Sequence, residues 1–331
     1  MKLGLMVGYW GAQPPPDLIG RAKLAESAGY DSIWTAEAYG SDVVSPLCWI
    51  GAHTSTIKLG TGLMQISART PASTAMTAAT IDHLSGGRLI LGLGVSGPQV
   101  VEGWYGQPFP KPLQRTKEYV EVVRKMLRRE EPVTYDGDHY PLPYPGGAGL
   151  GKPLKITVHP LRREIPIYLG AEGPKNVKQT TKIADGWLPI FYSPYRNDMY
   201  EGITFPPGFE VACPVTVMIT DDVEAALGFI KLSLSFYIGG MGAKDRNFHL
   251  DVVARMGFEG EAKHVQDLFM DGKREEAARA VPDALADEIS LVGPKERIRD
   301  RLQAWEESPV STILSGSNDE ETVKVLPELL S

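Results

Sequence analysis

Short apolar runs alternate with segments whose apolar positions recur every three or four residues. KLGLMVG (Lys2 to Gly8) reads as a buried strand, and PPDLIGRAKLAESAGY places Leu18, Ala22, Ala25 and Ala28 at helical spacing until Gly29 stops it. The alternation continues through DSIWTAE (Asp31 to Glu37), PLCWIGAHTS, IKLGTGL (Ile57 to Leu63), PASTAMTAATIDHLS and RLILGLG (Arg88 to Gly94). LQRTKEYVEVVRKMLRRE then predicts a long helix with Tyr119, Val122, Val123 and Met126 on one face. A Pro- and Gly-rich stretch follows, in which VTYDGDHYPL predicts a hairpin turning at Asp136-Gly137. Alternation resumes with IPIYLG (Ile165 to Gly170), the helix KNVKQTTKIADG, WLPI (Trp187 to Ile190), EVACPVTVMIT (Glu210 to Thr220) and VSTILSG (Val310 to Gly316), and a helix from Glu320 to Leu329. Residues 221–286 read as helical without a pattern that orders them. Eight strands alternating with helices predict a closed (β/α)8 barrel (TIM barrel) in preference to an open doubly wound sheet. We expect one domain over residues 1–331, with a loop-rich insertion at about 130–164 and a helical insertion at about 221–286.

One motif tests that architecture. LILGLGVSGPQV holds Gly92, Gly94 and Gly97 as G-x-G-x-x-G, the spacing of a dinucleotide-binding turn. That fingerprint requires the first βα turn of a unit and an acid ending the next strand about 20 residues on. Here it ends a fourth strand, and Glu118 and Glu121 fall inside the long helix. A nicotinamide dehydrogenase is therefore excluded.

Composition narrows the partners. A net charge of -7 with no basic run argues against nucleic acid. Cys48 and Cys213 are far apart and lack ligand-spaced neighbours, so neither a disulfide framework nor a metal site is expected. The start MKLGLMVGYWG lacks a signal peptide's apolar core, and no run approaches a membrane span, so a cytoplasmic protein without membrane contact is expected.

In a barrel the chemistry sits at the strand C-terminal ends. Gly170 and Gly173 precede a helix opening with Pro174, Lys175 and Asn176, where backbone N–H groups and the helix dipole would hold a phosphate; the alternative is an ordinary loop. Gly94, Val95, Ser96 and Gly97 would let the backbone approach a flat ring, or only pack a barrel rim. Trp10, Tyr39 and Phe191 fall near strand ends and would form a substrate wall, unless they belong to the core. His159 and His249 lie in segments that the pattern does not place.

Taken together, LSGGRLILGLGVSG, IYLGAEGPKNV...ADGW and GTGLMQ resemble the luciferase-like oxidoreductase superfamily, in particular its deazaflavin branch, over Leu3 to Pro189. The resemblance implies the same barrel and coenzyme F420 as cofactor, with FMN as the alternative. It implies a small-molecule substrate and a homodimer. At Gly62-Leu63 it implies a non-proline cis peptide bulging against the cofactor ring, beside Gln65, with Gly170 and Ala171 completing the cofactor contacts. Glu37 corresponds to an acid at the ring's polar edge. Two positions depart from the family's sugar-phosphate dehydrogenases, which carry a His and a Glu where this chain has Ala38 and Gly97. Glu37, Tyr39 or bound water would then supply the general acid. The expected function is hydride transfer between F420 and a small organic substrate. The alternatives are an FMN-dependent monooxygenase and a non-catalytic deazaflavin-binding protein.

Overall fold

The computed structural model describes residues 1–317 and 319–330. Among the described residues ten strands occur: β1 (Lys2–Gly8), β2 (Ser32–Thr35), β3 (Lys58–Thr61), β4 (Met64–Gln65), β5 (Leu89–Gly94), β6 (Ile167–Gly170), β7 (Gly186–Leu188), β8 (Glu210–Ile219), β9 (Ser290–Gly293) and β10 (Thr312–Ser315). Eight of them close a parallel barrel in the order β1-β2-β3-β5-β6-β7-β8-β10, with β10 returning to pair with β1. All eight predicted strands are present; β1 has the expected bounds, and each of the others has at least one end moved by a residue or more, β2, for example, stopping at Thr35, two residues before Glu37.

Two strands were not foreseen. β4 resumes pairing with β5 after the Gly62-Leu63 interruption, at Met64↔Leu93 and Gln65↔Gly94. β9 pairs with the outer half of β8 at Thr216 to Ile219, while the inner half pairs with β10 at Ala212 to Val215. β9 lies beyond residues 221–286, in a stretch to which the pattern assigns no element, because a four-residue strand directly after a helix carries no period of its own.

Helices α1 (Leu18–Ser27), α2 (Val44–Gly51), α3 (Pro71–Leu84), α4 (Pro98–Gly103), α5 (Pro112–Arg128) and α6 (Pro174–Ile183) follow the first five barrel strands in turn, α4 and α5 both lying after β5. Proline begins α3, α4, α5 and α6, where its fixed φ suits the first turn and its missing N–H costs nothing. The segment read as generally helical resolves into α7 (Val223–Gly240), α8 (Phe248–Val253), a π turn at Ala254–Phe258, α9 (Glu259–Met270), α10 (Arg274–Ala280) and α11 (Asp283–Glu288). Helices α12 (Lys295–Glu306) and α13 (Glu320–Leu329) complete the chain.

The apolar pattern is buried in three places. The largest cluster lies between strands and outer helices and includes Leu5, Ile33, Leu59, Leu91, Ile167 and Val215. A smaller one, of Trp34, Ile90, Tyr168, Leu188, Ala212 and Leu314, comes from alternating strand positions and fills the barrel. The third belongs to the helical insertion. Contrary to the sequence-based expectation, α7 has the length and composition of a membrane span. It packs on α9, α10 and α11, and Ile230, Leu234 and Ile238 are buried there.

The loop-rich insertion is pinned by ionic contacts. Tyr135 and Leu142 pair antiparallel across the predicted Asp136-Gly137 turn. Glu118, rejected above as a ribose-binding acid, accepts hydrogen bonds from the backbone N–H groups of Asp138, His139 and Tyr140 at 2.8–3.2 Å. Arg162 meets the fully buried Asp82 of α3 and donates to the Leu89 carbonyl at 2.7 Å.

Candidate active site

A cavity of about 290 Å³ opens where the C-terminal ends of the strands meet α4, α6 and the helical insertion. Glu37, Gly62, Leu63, Gln65, Gly94, Val95, Ser96, Gly97, Gly170, Ala171 and Gly173 all border it, so residues from four separate predicted loops converge on one space. The Gly62-Leu63 peptide is cis.

The floor is shaped by glycine. The Leu63 side chain lies across the ends of β5 and β6, where a Cβ on Gly94 or on Gly170 would come within 2.6 or 2.4 Å of Leu63 Cδ1. Side chains at these positions would push Leu63 into the cavity. At Gly173, by contrast, no atom lies within 4 Å of where a Cβ would stand. Gly173 is also the N-cap of α6, a helix with no side-chain cap and no acid in its first turn.

Glu37 organises one wall. Arg69 Nη1 donates to its Oε1 at 2.6 Å and Nη2 to its Oε2 at 3.1 Å, while the backbone N–H of Gln65 (2.7 Å) and of Val43 (3.2 Å) complete the set. Gln65 in turn donates its Nε2 to the Ala38 carbonyl at 3.1 Å, which Tyr105 also reaches through its hydroxyl at 3.2 Å. The Gln65 side-chain oxygen is thereby left buried and without a partner.

The opposite wall comes from the helical insertion. Tyr237 at the end of α7, Met241, Arg246, Phe248, His249 and Arg255 border the cavity together with Tyr9 and Ile190. Burial, then the adjacent Tyr9 hydroxyl at 3.4 Å, push the Tyr237 hydroxyl far above its ordinary range, so it stays protonated and able to donate. Glu172 lies between β6 and α6; its Oε1 is 3.1 Å from His249 Nδ1, and its Oε2 is buried without a partner.

Several expected residues take other places. Tyr39 is 51% exposed and does not border the cavity, and both oxygens of Glu37 are taken by protein donors, so neither presents an unengaged acid to the interior. Trp10 and Phe191 do not form the wall assigned to them: Phe191 packs edge-on behind Tyr237 and His249 at 5.2 and 5.9 Å. Pro174, Lys175 and Asn176 form the first turn of α6 just beyond the bordering Gly173. The missed residues lie mainly in the insertion. Its one usable signal was Asn247, a helix-capping residue directly before Phe248 and His249.

A closed barrel with its strand-end loops around such a cavity has the architecture of a barrel enzyme with its pocket at the strand C-terminal ends. A family model for luciferase-like monooxygenases matches residues 4–312, and the chain belongs to that family. A Mycobacterium tuberculosis protein provisionally named a coenzyme F420-dependent oxidoreductase is 51% identical, over 100% of this chain and 99% of its own. The 5,10-methylenetetrahydromethanopterin reductase of Archaeoglobus fulgidus is 28% identical, over 89% of this chain and 87% of its own. Among solved structures, the F420-dependent tetrahydromethanopterin reductase of Methanopyrus kandleri superposes with a TM-score of 0.77 at 23% identity, covering 99% of this chain and 97% of its own. An F420-dependent secondary alcohol dehydrogenase gives 0.75 at 18% identity, covering 99% and 97%. These two likenesses establish the shared fold.

Proposed function

We propose that the chain is a coenzyme F420-dependent oxidoreductase that transfers a hydride between the deazaflavin and a small organic substrate. The observation that carries this reading is the orphaned Gln65 oxygen above a glycine-edged floor: a buried acceptor without a partner fits a ring that offers an N–H at its polar edge. The F420 dependence named for the 51%-identical relative, which spans the whole chain, supports the same cofactor.

When bound, F420 supplies the hydride donor or acceptor at its deazaflavin ring. The chain's own residues bind and orient it. Gln65 accepts from the ring edge, held in place by Glu37 through its backbone N–H. Leu63, Gly94 and Gly170 would support the ring, and Gly62, Val95, Ser96, Gly97 and Ala171, which border the same cavity, would complete its pocket. The uncapped start of α6 at Gly173, with Pro174, Lys175 and Asn176 in its first turn, would hold the cofactor's phosphate, and Arg246 and Arg255 would add positive charge for its acidic tail. Tyr9, Tyr237, Met241 and Phe248 exclude water from the substrate side. Assembly as a homodimer in the cytoplasm is part of the proposal.

Titration with F420 and with FMN, followed by quenching of cofactor fluorescence, tests the reading. Tight binding of F420 is expected, and binding of FMN alone would refute it in favour of a monooxygenase. Gly173→Val leaves the fold intact, because the new side chain meets open space, and weakens F420 binding. Unchanged affinity would remove the α6 start from the site.

A further inference from the structure

A second cavity, of about 280 Å³, lies at the opposite end of the barrel, where the strands begin. Side chains two residues apart on a strand share a face. The interior layer below Trp34, Ala212 and Leu314 is therefore built by Ser32, Glu210 and Thr312, joined by Lys2 of β1 and Lys58 of β3. Barrel interiors are ordinarily filled by branched apolar side chains, whereas this lowest layer is polar and charged and encloses space. Residues at this end of a barrel serve stability and not catalysis, so a ligand held here is neither the substrate nor the cofactor of the mouth.

Hydrogen-bond donors are in excess around this space. Tyr168 is 7% exposed and borders the cavity, yet among the described residues no partner meets its hydroxyl. Burial, then Glu210, Asp31 and Asp185, push that hydroxyl far above its ordinary range, so it stays protonated and able to donate. Ser32, 1% exposed, accepts from Trp34 Nε1 at 2.9 Å and keeps its own O–H. Lys2 Nζ is bound once, to Glu210 at 2.5 Å, and Lys58 Nζ once, to Asp31 at 2.8 Å, so each ammonium retains two N–H groups. Arg162 spends Nε and Nη2 on Asp82 and the Leu89 carbonyl, which leaves Nη1. Arg88 gives all its N–H groups to carbonyls and the Thr54 hydroxyl and forms no ion pair among the described residues; Glu26 acts on it only at longer range. The three carboxylates bordering the cavity are each matched already: Asp31 by Lys58, Glu210 by Lys2 and the Ser311 hydroxyl, and Asp185 by Arg124 and the Ile167 N–H. What remains unmet is donors and positive charge, which call for an anion.

We propose that the cavity at the foot of the barrel binds a phosphate group, free or as a small monoester, through Lys2, Ser32, Lys58 and Tyr168. These donors stand on β1, β2, β3 and β6 and so approach from several sides. That arrangement suits a tetrahedral oxyanion, which offers oxygens in every direction, better than a flat carboxylate, which offers two on one side. The lysines serve as compact charges, with Asp31 and Glu210 fixing where their ammonium groups stand. The site is separate from the α6 start at the mouth, because Trp34 fills the interior between the two cavities. A Cβ on Gly60 would stand 2.2 Å from the Trp34 ring, and one on Gly62, which borders the upper cavity, 3.4 Å from it. The foot site is independent of the deazaflavin reading.

Isothermal titration with inorganic phosphate and with glycerol 3-phosphate, at an ionic strength held constant with chloride, tests the proposal. The proteins are wild type, Gly173→Val, and Gly173→Val carrying in addition Tyr168→Phe or Lys58→Gln. Gly173→Val blocks the α6 start, the other place where a phosphate would settle, so one phosphate per chain is expected to remain in it. Tyr168→Phe removes a single oxygen that no protein group contacts, so the urea midpoint is expected to hold while phosphate affinity falls about 10-fold, the scale of a hydrogen bond to a charged group. Lys58→Gln is expected to lower affinity by about 10-fold or more. Tighter binding of either probe supports the site and identifies its source as free phosphate or as a monoester. Binding of neither probe would overturn the proposal. Binding confined to the wild type would assign phosphate to the α6 start alone, with the same consequence. Undiminished affinity in either folded foot variant would place the anion elsewhere and also overturn it.

Discussion

Arg69→Met tests how the cofactor wall is held. The pair is bidentate, with contacts of 2.6 and 3.1 Å, and lies largely inside the protein, the Arg69 and Glu37 side chains being 18% and 4% exposed. Methionine keeps much of the arginine stem's volume but removes both charged donors. Removing one partner of such a pair strands the other as a buried charge, which costs about 3–5 kcal/mol. The N–H groups of Val43 and Gln65 still face the carboxylate, so the lower end, about 3 kcal/mol, is expected. That is a large share of the roughly 5–15 kcal/mol by which domains are stable. Urea denaturation at neutral pH, followed by tryptophan fluorescence, reads it as a lower midpoint at unchanged slope. Adding Glu37→Gln should recover part of the loss, since the amide carries no charge and keeps an acceptor. Because Glu37 also holds the Gln65 backbone, F420 affinity should fall even where Arg69→Met remains folded. A loss below about 1 kcal/mol, the scale of a solvent-screened surface pair, would refute the reasoning.

Two further predictions concern the scaffold. Glu26 accepts from the backbone N–H of Ser55, Thr56 and Ile57 at 2.8, 2.6 and 3.0 Å. Burial alone would raise its carboxyl, but these donors and the Thr56 hydroxyl bring it down to about 2 from the usual 4.5. The native state therefore binds fewer protons than the unfolded chain between those values, so this stabilisation is present above pH 4.5 and lost as pH falls towards 2. Glu26→Gln should flatten acid unfolding in that window, and an unchanged acid profile would contradict it. Gly92→Ala should lower stability by at least about 1–3 kcal/mol, because its Cβ would stand 1.9 Å from the Thr61 carbonyl oxygen, a backbone atom that cannot rotate away. An unaltered thermal midpoint would show that β3 and β5 can separate at no cost.

The sequence by itself determined the barrel. Strand and helix periods are local properties, and LILGLG, apolar at every position except its glycines, announces a strand buried on both faces, as β5 is at all six residues. The motifs at strand ends were legible for a related reason: barrel topology sends every such loop to one mouth, so Gln65, Ser96 and Gly170 could be grouped without knowing a distance between them. What a side chain does there was not legible. Glu37 could be placed beside the cavity from its position after a strand, but that Arg69 consumes its carboxylate depends on a loop contact 32 residues away in sequence. Phe191 and Tyr39 likewise looked like wall residues, and only packing turned one behind His249 and the other towards solvent. Of the far wall, the sequence showed only the Asn247 helix cap. Tyr237, His249 and Arg255 lie in helices with no barrel period to index them, and His249 and Arg255 reach Glu172 only because the helical insertion folds back over the mouth. Periodicity records which face of an element is buried, whereas the partner across a cavity is chosen by three-dimensional closure, and that information is spread over the whole chain.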